Sequence, residues 1–351
     1  MKSQNRVVVF AGIFLVISFF FFTVTYAAST AKPMELKVAT WNPEHIAPSQ
    51  IVQKWAKMVE ERSGGKVKFA FYWASSLAKL QDNFRATQTG IADIGMWVVG
   101  AVSGLTPLNE YISLPFLGFK DTPTVLKVYN EMRRRIPELD AEYKGLRNLY
   151  TYPMPPYHFH MTKKIVRVPE DIRGLKIMAD ANSTDFLNTL GAVSVSKGPA
   201  DWYMSLQKGL VEGILNHWAV VDAFKLEELV TEHIQPGYAG VNSLMLGWWI
   251  NGDSWSKLPP EAQKAMIDVQ PEIEKLSLDT SLKLQSIGQE KAREAGHEII
   301  ELTPEEVQQW IKASEPVREK WIADMEAKGK PGRAVYEEAK RLIAQFNEDG
   351  N

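Results

Sequence analysis

The early part of the chain alternates between short apolar segments and amphipathic ones, and this rhythm constrains the fold most strongly. The apolar segments at 34–41, 66–73 and 91–99 are typical of buried strands. The amphipathic segments between them, at 48–65 and 80–90, place apolar residues on one helical face and end at glycine. Strands joined through helices predict a parallel, doubly wound α/β sheet, because parallel neighbours need crossover connections.

A second α/β run starts near Tyr157 and ends in a buried strand pattern at 243–251. We expect residues 34–156 to form lobe I together with that returning strand, and residues 157–242 to form lobe II. No low-complexity linker separates the two lobes. The connections between them should therefore act as a hinge, with a ligand cleft between the lobes.

Residues 259–346 are helical by periodicity. Pro271 should kink or break this region, because proline lacks the N–H that an interior helical position donates. The 25 residues from 272 to 296 would then form one long helix of roughly 35 Å, enough to lie across both lobes. Residues 303–325 should form one C-terminal helix, with Thr303 as its cap and Glu306 completing a capping box.

The amino terminus is typical of a signal peptide. Lys2 and Arg6 precede an apolar run at 7–24, and the small residue Ala27 follows. We predict that residues 1–27 are removed and that the mature protein is soluble in the periplasm. The alternative is an uncleaved anchor, because the run approaches the ~20 residues that span a bilayer.

The composition excludes several functional classes. The chain has 40 Lys+Arg against 42 Asp+Glu, so no basic excess points to nucleic acid. It has no cysteine, which excludes disulfides, a thiolate nucleophile and cysteine metal sites. No Gly-x-Ser-x-Gly elbow, dinucleotide fingerprint or phosphate loop is present. We therefore expect neither catalysis nor a cofactor.

Histidines and tryptophans supply the remaining candidates. His158 and His160 would share one face of an extended segment, so metal ligation is geometrically open, although no third ligand has a recognisable spacing. A periplasmic hydrolase or metal-dependent enzyme that uses these two histidines is therefore an alternative function. Strand ends line the ligand crevice of doubly wound sheets. The tryptophans that fall at predicted strand ends or turns are Trp41, Trp73, Trp97 and Trp218.

Three motifs resemble those of one family. "SLPFLGF" (113–119), "VPEDIRGLKI" (168–177) and "DWYMSLQKGLVEGILN" (201–216) are similar to segments of the extracytoplasmic solute receptors of tripartite ATP-independent periplasmic (TRAP) transporters. The resemblance covers essentially everything after the signal peptide. It implies an α/β, two-lobed periplasmic binding protein, type II-like, with doubly wound sheets, a hinge and a long helix spanning both lobes.

The resemblance also implies a function. Such a receptor closes on a small organic solute and delivers it to the membrane subunits of a TRAP permease, without ATP hydrolysis or catalysis. We expect it to work as a monomer. A related possibility is that the partner is a signalling protein rather than a permease.

Many members of the family hold a carboxylate with an arginine that directly follows the Gly-Leu-Lys-Ile strand. That position is Met178 here, and a second position that is arginine in some members is His158. The family's ligand-binding asparagine corresponds to Asn216. Leaving a buried carboxylate without its cation costs ~3–5 kcal/mol, so an ordinary dicarboxylate is not expected.

Other groups could hold a solute. A protonated His158, Asn216, Asn182 and the amides at a helix start could bind a monocarboxylate. Glu44 and Asp180, together with the tryptophans, favour instead an aromatic or amine-bearing solute. We predict an aromatic or amine-bearing solute, with an organic monocarboxylate as the alternative. The predicted solute-binding residues are Trp41, Glu44, Trp73, Trp97, His158, Met178, Asp180, Asn182, Asn216 and Trp218.

Overall fold

The structure is a computed structural model that describes residues 32–100, 104–237 and 239–348. The predicted signal peptide, residues 1–27, lies outside the described residues. Among the residues described, no helix is long and apolar enough to cross a membrane.

The strands and helices follow the alternation predicted from the sequence. The strands are β1 (Met34–Ala39), β2 (Val67–Tyr72), β3 (Ile94–Val98), β4 (Leu146–Pro153), β5 (Tyr157–Met161), β6 (Lys176–Met178), β7 (Val193–Val195), β8 (Gly213–His217), β9 (Glu232–Gln235), β10 (Met245–Asn251) and β11 (Glu298–Glu301). The helices are α1 (Ala47–Arg62), α2 (Asn83–Gln88), α3 (Thr122–Arg135), α4 (Pro137–Ala141), α5 (Ala181–Thr189), α6 (Trp202–Gln207), α7 (Trp218–Ala223), α8 (Gly252–Lys257), α9 (Pro260–Glu294), α10 (Pro304–Ala313), α11 (Glu315–Ala327) and α12 (Gly332–Glu348).

Two mixed sheets organise the molecule. The first has the order β2-β1-β3-β10-β4, and the second has the order β11-β9-β5-β8-β6-β7. In the first sheet β10 runs antiparallel to both of its neighbours, while β1, β2 and β3 are parallel. In the second sheet β5 is the antiparallel strand, between β8 and β9. The predicted two-lobed α/β fold is confirmed.

The connections between the sheets determine where a ligand can bind. The chain leaves the first sheet at the end of β4 and enters β5, and it leaves β9 to return through β10. Backbone hydrogen bonds join these connections, from Met154 N to Leu244 O at 2.8 Å and from Tyr157 N to Asn242 O at 3.0 Å. Both connections start at the carboxyl end of a strand and lead into the antiparallel strand of the other sheet. The carboxyl ends of the parallel strands in both sheets therefore face the region between the lobes.

Helix α9 contacts both lobes. It packs against α1 and β4 of the first lobe and against α7 of the second. Its 35 residues correspond to a length of about 50 Å. The predicted break at Pro271 is wrong, because the helix runs through that residue. Buried Val269 and Ile273 on either side of Pro271 anchor the helix, so packing offsets the lost hydrogen bond.

The carboxyl-terminal region also differs from its prediction. The capping box of Thr303 and Glu306 is present, with Thr303 N donating to Glu306 Oε2 at 2.8 Å. However, the helix that it opens ends at Ala313, and a second helix follows from Glu315. Pro316 has no N–H to continue the first helix, and it is well placed in the first turn of the next.

Candidate functional site

The candidate site lies where the strands of the second sheet end. β6 ends at Met178 and leads into α5, and β8 ends at His217 and leads into α7. β5 begins beside them at Tyr157, directly after the connection from the first lobe. These three strand ends lie beside one another in the sheet, because β5 pairs with β8 and β8 pairs with β6.

Strand alternation sorts the side chains of this region onto two faces. Tyr157, Phe159 and Met161 belong to one buried cluster, so His158 and His160 project from the opposite face. Opposed residues in neighbouring strands share a face. The pairing of His158 with Asn216, and of both His160 and Met178 with Ile214, therefore places these groups together.

His158 is the least satisfied polar group in this region. It is 1% exposed, and neither of its ring nitrogens has a hydrogen-bond partner. Burial lowers its pKa to about 3, with further lowering by His217 and His233. His158 is therefore neutral near pH 7 and cannot supply the positive charge considered from the sequence. It offers one N–H donor and one lone pair instead.

Met178 forms an apolar wall on β6, which is separated from the strand of His158 by β8. It is 1% exposed and belongs to a buried cluster with Leu206, Val211 and Ile214. This position, which the resemblance associates with arginine, is thus surrounded by hydrocarbon. A guanidinium placed here would be buried against these apolar side chains.

The start of α5 presents neutral hydrogen-bonding groups. Asp180 caps the helix, with its Oδ1 accepting from Ser183 N at 3.2 Å. Burial raises the pKa of Asp180, while hydrogen bonds from Tyr157 and Ser183 act in the opposite direction. Asn182 Nδ2 and Ser183 Oγ are buried without partners. The carboxylate is thus engaged by the protein, and the neutral groups beside it are free for a solute.

Asn216 and Trp218 differ in what they can offer. Asn216 Oδ1 accepts from His217 N at 2.9 Å, which leaves its Nδ2 as the group that can donate to a solute. Trp218 is fully buried, and its Nε1 donates to Gln235 Oε1 at 2.9 Å. Its ring packs edge-on against His160, with centroids 4.8 Å apart. Trp218 thus packs against the histidines of the second sheet, and its indole N–H is already used within the protein.

Three of the four predicted residues on the first lobe, Trp41, Glu44 and Trp73, follow strand ends. Trp41 and Trp73 are both partly buried and follow β1 and β2. Trp73 stacks on Phe71, with ring centroids 4.6 Å apart. Glu44 is exposed and accepts a hydrogen bond from Gln53 Nε2 at 3.0 Å. Glu44 thus faces solvent, whereas the carboxylate of Asp180 is engaged at the start of α5.

Trp97 is the predicted residue that the structure places elsewhere. It is 1% exposed and stacks on Trp249, with centroids 4.2 Å apart, inside the main core of the first lobe. Its strand is central in the sheet, and the side chain points to the face covered by helices. Position near a strand end was not enough to place Trp97 in the cleft, because orientation decides which face a residue joins.

Sequence reasoning missed several residues behind the site. His160 Nδ1 lies 2.8 Å from His233 Nδ1, and His233 Nε2 lies 3.2 Å from His297 Nδ1. The pattern His158-x-His160 was a signal for this cluster, but its partners come from strands far along the chain. No group of three or more His, Asp or Glu side chains in the described part of the chain is arranged to hold a metal ion.

Residues 38–324 match the sequence profile of the bacterial extracellular solute-binding protein family 7. The chain belongs to this family. Its members are substrate-binding receptors, and the resemblance seen in the motifs is confirmed.

One curated relative is the C4-dicarboxylate-binding periplasmic protein DctP of Vibrio cholerae. It is 24% identical over 290 residues, which cover 82% of this chain and 84% of the relative.

Two solved structures show the same fold. A marine metagenome TRAP solute-binding protein specific for aromatic acid ligands, in complex with metahydroxyphenylacetate, has a TM-score of 0.81 and 23% identity, covering 89% of this chain and 99% of its own. A TRAP solute-binding protein from Rhodoferax ferrireducens, in complex with copurified benzoate, has a TM-score of 0.80 and 23% identity, covering 91% and 100%.

Proposed function

We propose that this receptor captures a compact monocarboxylate that carries an aromatic ring, and delivers it to a TRAP permease. The observation that carries the proposal is the combination of an apolar Met178 with buried, unpartnered and neutral polar groups on His158, Asn182 and Ser183. Such a site offers hydrogen bonds and hydrocarbon contact, but no fixed positive charge.

The missing cation argues against dicarboxylates. The two positions that the family resemblance associates with arginine hold Met178 and His158, and burial keeps His158 and His217 neutral. Two carboxylates enclosed here would each lose hydration without a counter-charge, at a cost of several kcal/mol per ion. One carboxylate needs only a single set of converging donors.

Neutral donors can hold one carboxylate when several converge. The amides in the first turn of α5 and the side chains of Asn182, Ser183 and Asn216 are donors of this kind. The ring of the solute would pack against Met178 and the half-buried Trp41 and Trp73. An amine is disfavoured, since Glu44 is exposed to water and the buried carboxylate of Asp180 caps α5.

Relatives of the same fold support this class of solute. The marine and Rhodoferax proteins hold metahydroxyphenylacetate and benzoate, each an aromatic ring with a single carboxylate. The C4-dicarboxylate-binding relative from Vibrio cholerae represents the contrasting class.

The remaining features of the proposal concern location and partner. Residues 1–27 act as a signal peptide that is cleaved near Ala27, and the mature chain works as a periplasmic monomer. The receptor releases its solute unchanged to the permease, which distinguishes it from a hydrolase or metal-dependent enzyme.

A thermal-shift panel with chemical recovery tests the proposal. Benzoate, 3-hydroxybenzoate and mandelate are compared with malate and succinate, each at neutral pH. An aromatic monocarboxylate should stabilise the protein, by about 2.7 kcal/mol at a hundredfold excess over Kd. Chromatography after prolonged incubation should recover it intact. Conversion of the compound would show an enzyme, and stabilisation by succinate alone would exclude the proposed class.

A pair of variants links the binding to the site. Asn182→Asp places a negative charge beside the proposed carboxylate, so it should abolish the shift caused by benzoate. The matched variant Asn188→Asp adds the same charge at an exposed position of the same helix and should leave the shift intact. Equal effects of the two variants would contradict this placement.

A further inference from the structure

Three histidines form a continuous hydrogen-bonded chain behind the solute site. His160 Nε2 lies 3.1 Å from the backbone oxygen of Asn216, and its Nδ1 lies 2.8 Å from His233 Nδ1. His233 Nε2 lies 3.2 Å from His297 Nδ1. This histidine chain, His160–His233–His297, runs across the strands from β5 through β9 to the start of the edge strand β11.

The identity of its last acceptor fixes the direction of every bond in the histidine chain. A carbonyl oxygen can only accept, so His160 Nε2 must carry the proton. A neutral imidazole has one N–H, so His160 Nδ1 accepts and His233 Nδ1 must donate. His233 Nε2 then accepts, and His297 Nδ1 donates to it. One tautomer is therefore assigned to each ring without reference to any ligand.

The surroundings of His160 and His233 favour the neutral form of both rings. His160 and His233 are fully buried, and burial lowers the pKa of both. The titratable groups that act on His160 are His158 on its own strand, His217 on β8 and His233 on β9. On the neighbouring strand β11, the carboxyl group of Glu301 is occupied by Gln235.

The ring of Trp218 seals the chain. It covers His233 with centroids 4.5 Å apart, and Gln235 fixes its indole N–H. Gln235 Oε1 also accepts from Gln289 Nε2 of α9 at 2.7 Å. His297 is only partly buried, so it is the member through which solvent reaches the chain.

We propose that His160, His233 and His297 act as one positioning unit, which holds the Asn216 backbone through bonds of fixed direction and so aims the Asn216 amide at the solute. The proposal rests on the proposed function only in treating Asn216 as a solute contact. The three histidines are positioning residues, since none of them needs to touch the solute.

Nitrogen NMR of the solute-free protein, with labelled histidine, tests the assigned tautomers. We expect a proton on Nε2 of His160 and on Nδ1 of both His233 and His297 at neutral pH. Any other fixed pattern, or averaging between tautomers at His160, would overturn the proposal.

Substitution of the outermost member tests whether the unit acts on Asn216. His297→Phe removes the donor to His233 Nε2, so the ring of His233 is held through Nδ1 alone and the carbonyl carbon resonance of Asn216 should move. His297→Asn retains a donor near the position of Nδ1 and should restore that resonance. His45→Phe is the matched control, because His45 is exposed and lies outside the chain. An unmoved Asn216 resonance in His297→Phe would refute the positioning role.

An affinity measurement connects the unit to function. With benzoate as the probe, His297→Phe should weaken binding by about fivefold, the equivalent of one neutral hydrogen bond. His297→Asn should recover most of that loss. If benzoate binds neither the variants nor the unmodified protein, the proposed solute class fails, whereas the NMR measurements still decide the positioning unit. Equal affinity of His297→Phe and the unmodified protein would contradict coupling to the site.

Discussion

Replacing Met178 by arginine tests whether this position is enclosed by apolar side chains. Met178 is 1% exposed and packs with Leu206, Val211 and Ile214, so an arginine would bring its guanidinium into hydrocarbon. The nearby Asp180 is already engaged as the N-cap of α5, with its Oδ1 accepting from Ser183 N. An uncompensated buried charge costs about 3–5 kcal/mol, so Met178→Arg should lower the free energy of unfolding by that amount.

Urea denaturation followed by circular dichroism measures this loss, with Met178→Leu as the matched control. Leucine keeps the volume and the apolar character, so the control should lose less than about 1.5 kcal/mol. Saturating benzoate should then stabilise Met178→Arg more than the unmodified protein, because the carboxylate offers the guanidinium a partner. If Met178→Arg without solute were as stable as Met178→Leu, the side chain would have to reach water, and the apolar wall would be refuted.

Two further predictions concern packing and pH. In Gly288→Ala the new methyl group would lie 2.7 Å from the backbone oxygen of Trp218, so α9 must shift away from α7. The free energy of unfolding should fall by about 1–3 kcal/mol in the same denaturation assay. Unchanged stability would contradict this close approach. Burial lowers the pKa values of His158 and His233 to about 3 and of His217 to about 4, against about 6.5 when unfolded. Below pH 6.5 the unfolded chain therefore binds more protons than the folded protein. The free energy of unfolding should fall by about 2 kcal/mol per histidine between pH 7 and pH 5. An unfolding free energy that stays constant over that range would show that these histidines are not held neutral.

Local patterns accounted for the fold well. The alternation of strands and helices predicted a doubly wound α/β architecture, because each pattern is a local property of the chain. The exceptions involve proline. Pro271 does not break α9, since packing along both lobes outweighs the lost hydrogen bond. Pro316, in contrast, separates two helices in a segment that was predicted to be one helix.

The site was harder to predict, because it depends on orientation and on pairing between distant strands. Trp97 follows the pattern of a cleft residue, yet its side chain joins the core of the first lobe. His233 and His297 join His160 only because β9 pairs with both β5 and β11. Spacing along the chain contains no record of those pairings, so the histidine chain could not be found from the sequence.

Native mass spectrometry of the receptor, purified from periplasm without added solute, tests the central claim most directly. The neutral, partly apolar site should retain a small molecule that can be released and identified. We expect its mass and fragmentation to show an aromatic ring with a single carboxylate, and benzoate to displace it in a competition series. A retained C4-dicarboxylate, displaced by succinate but not by benzoate, would contradict the claim.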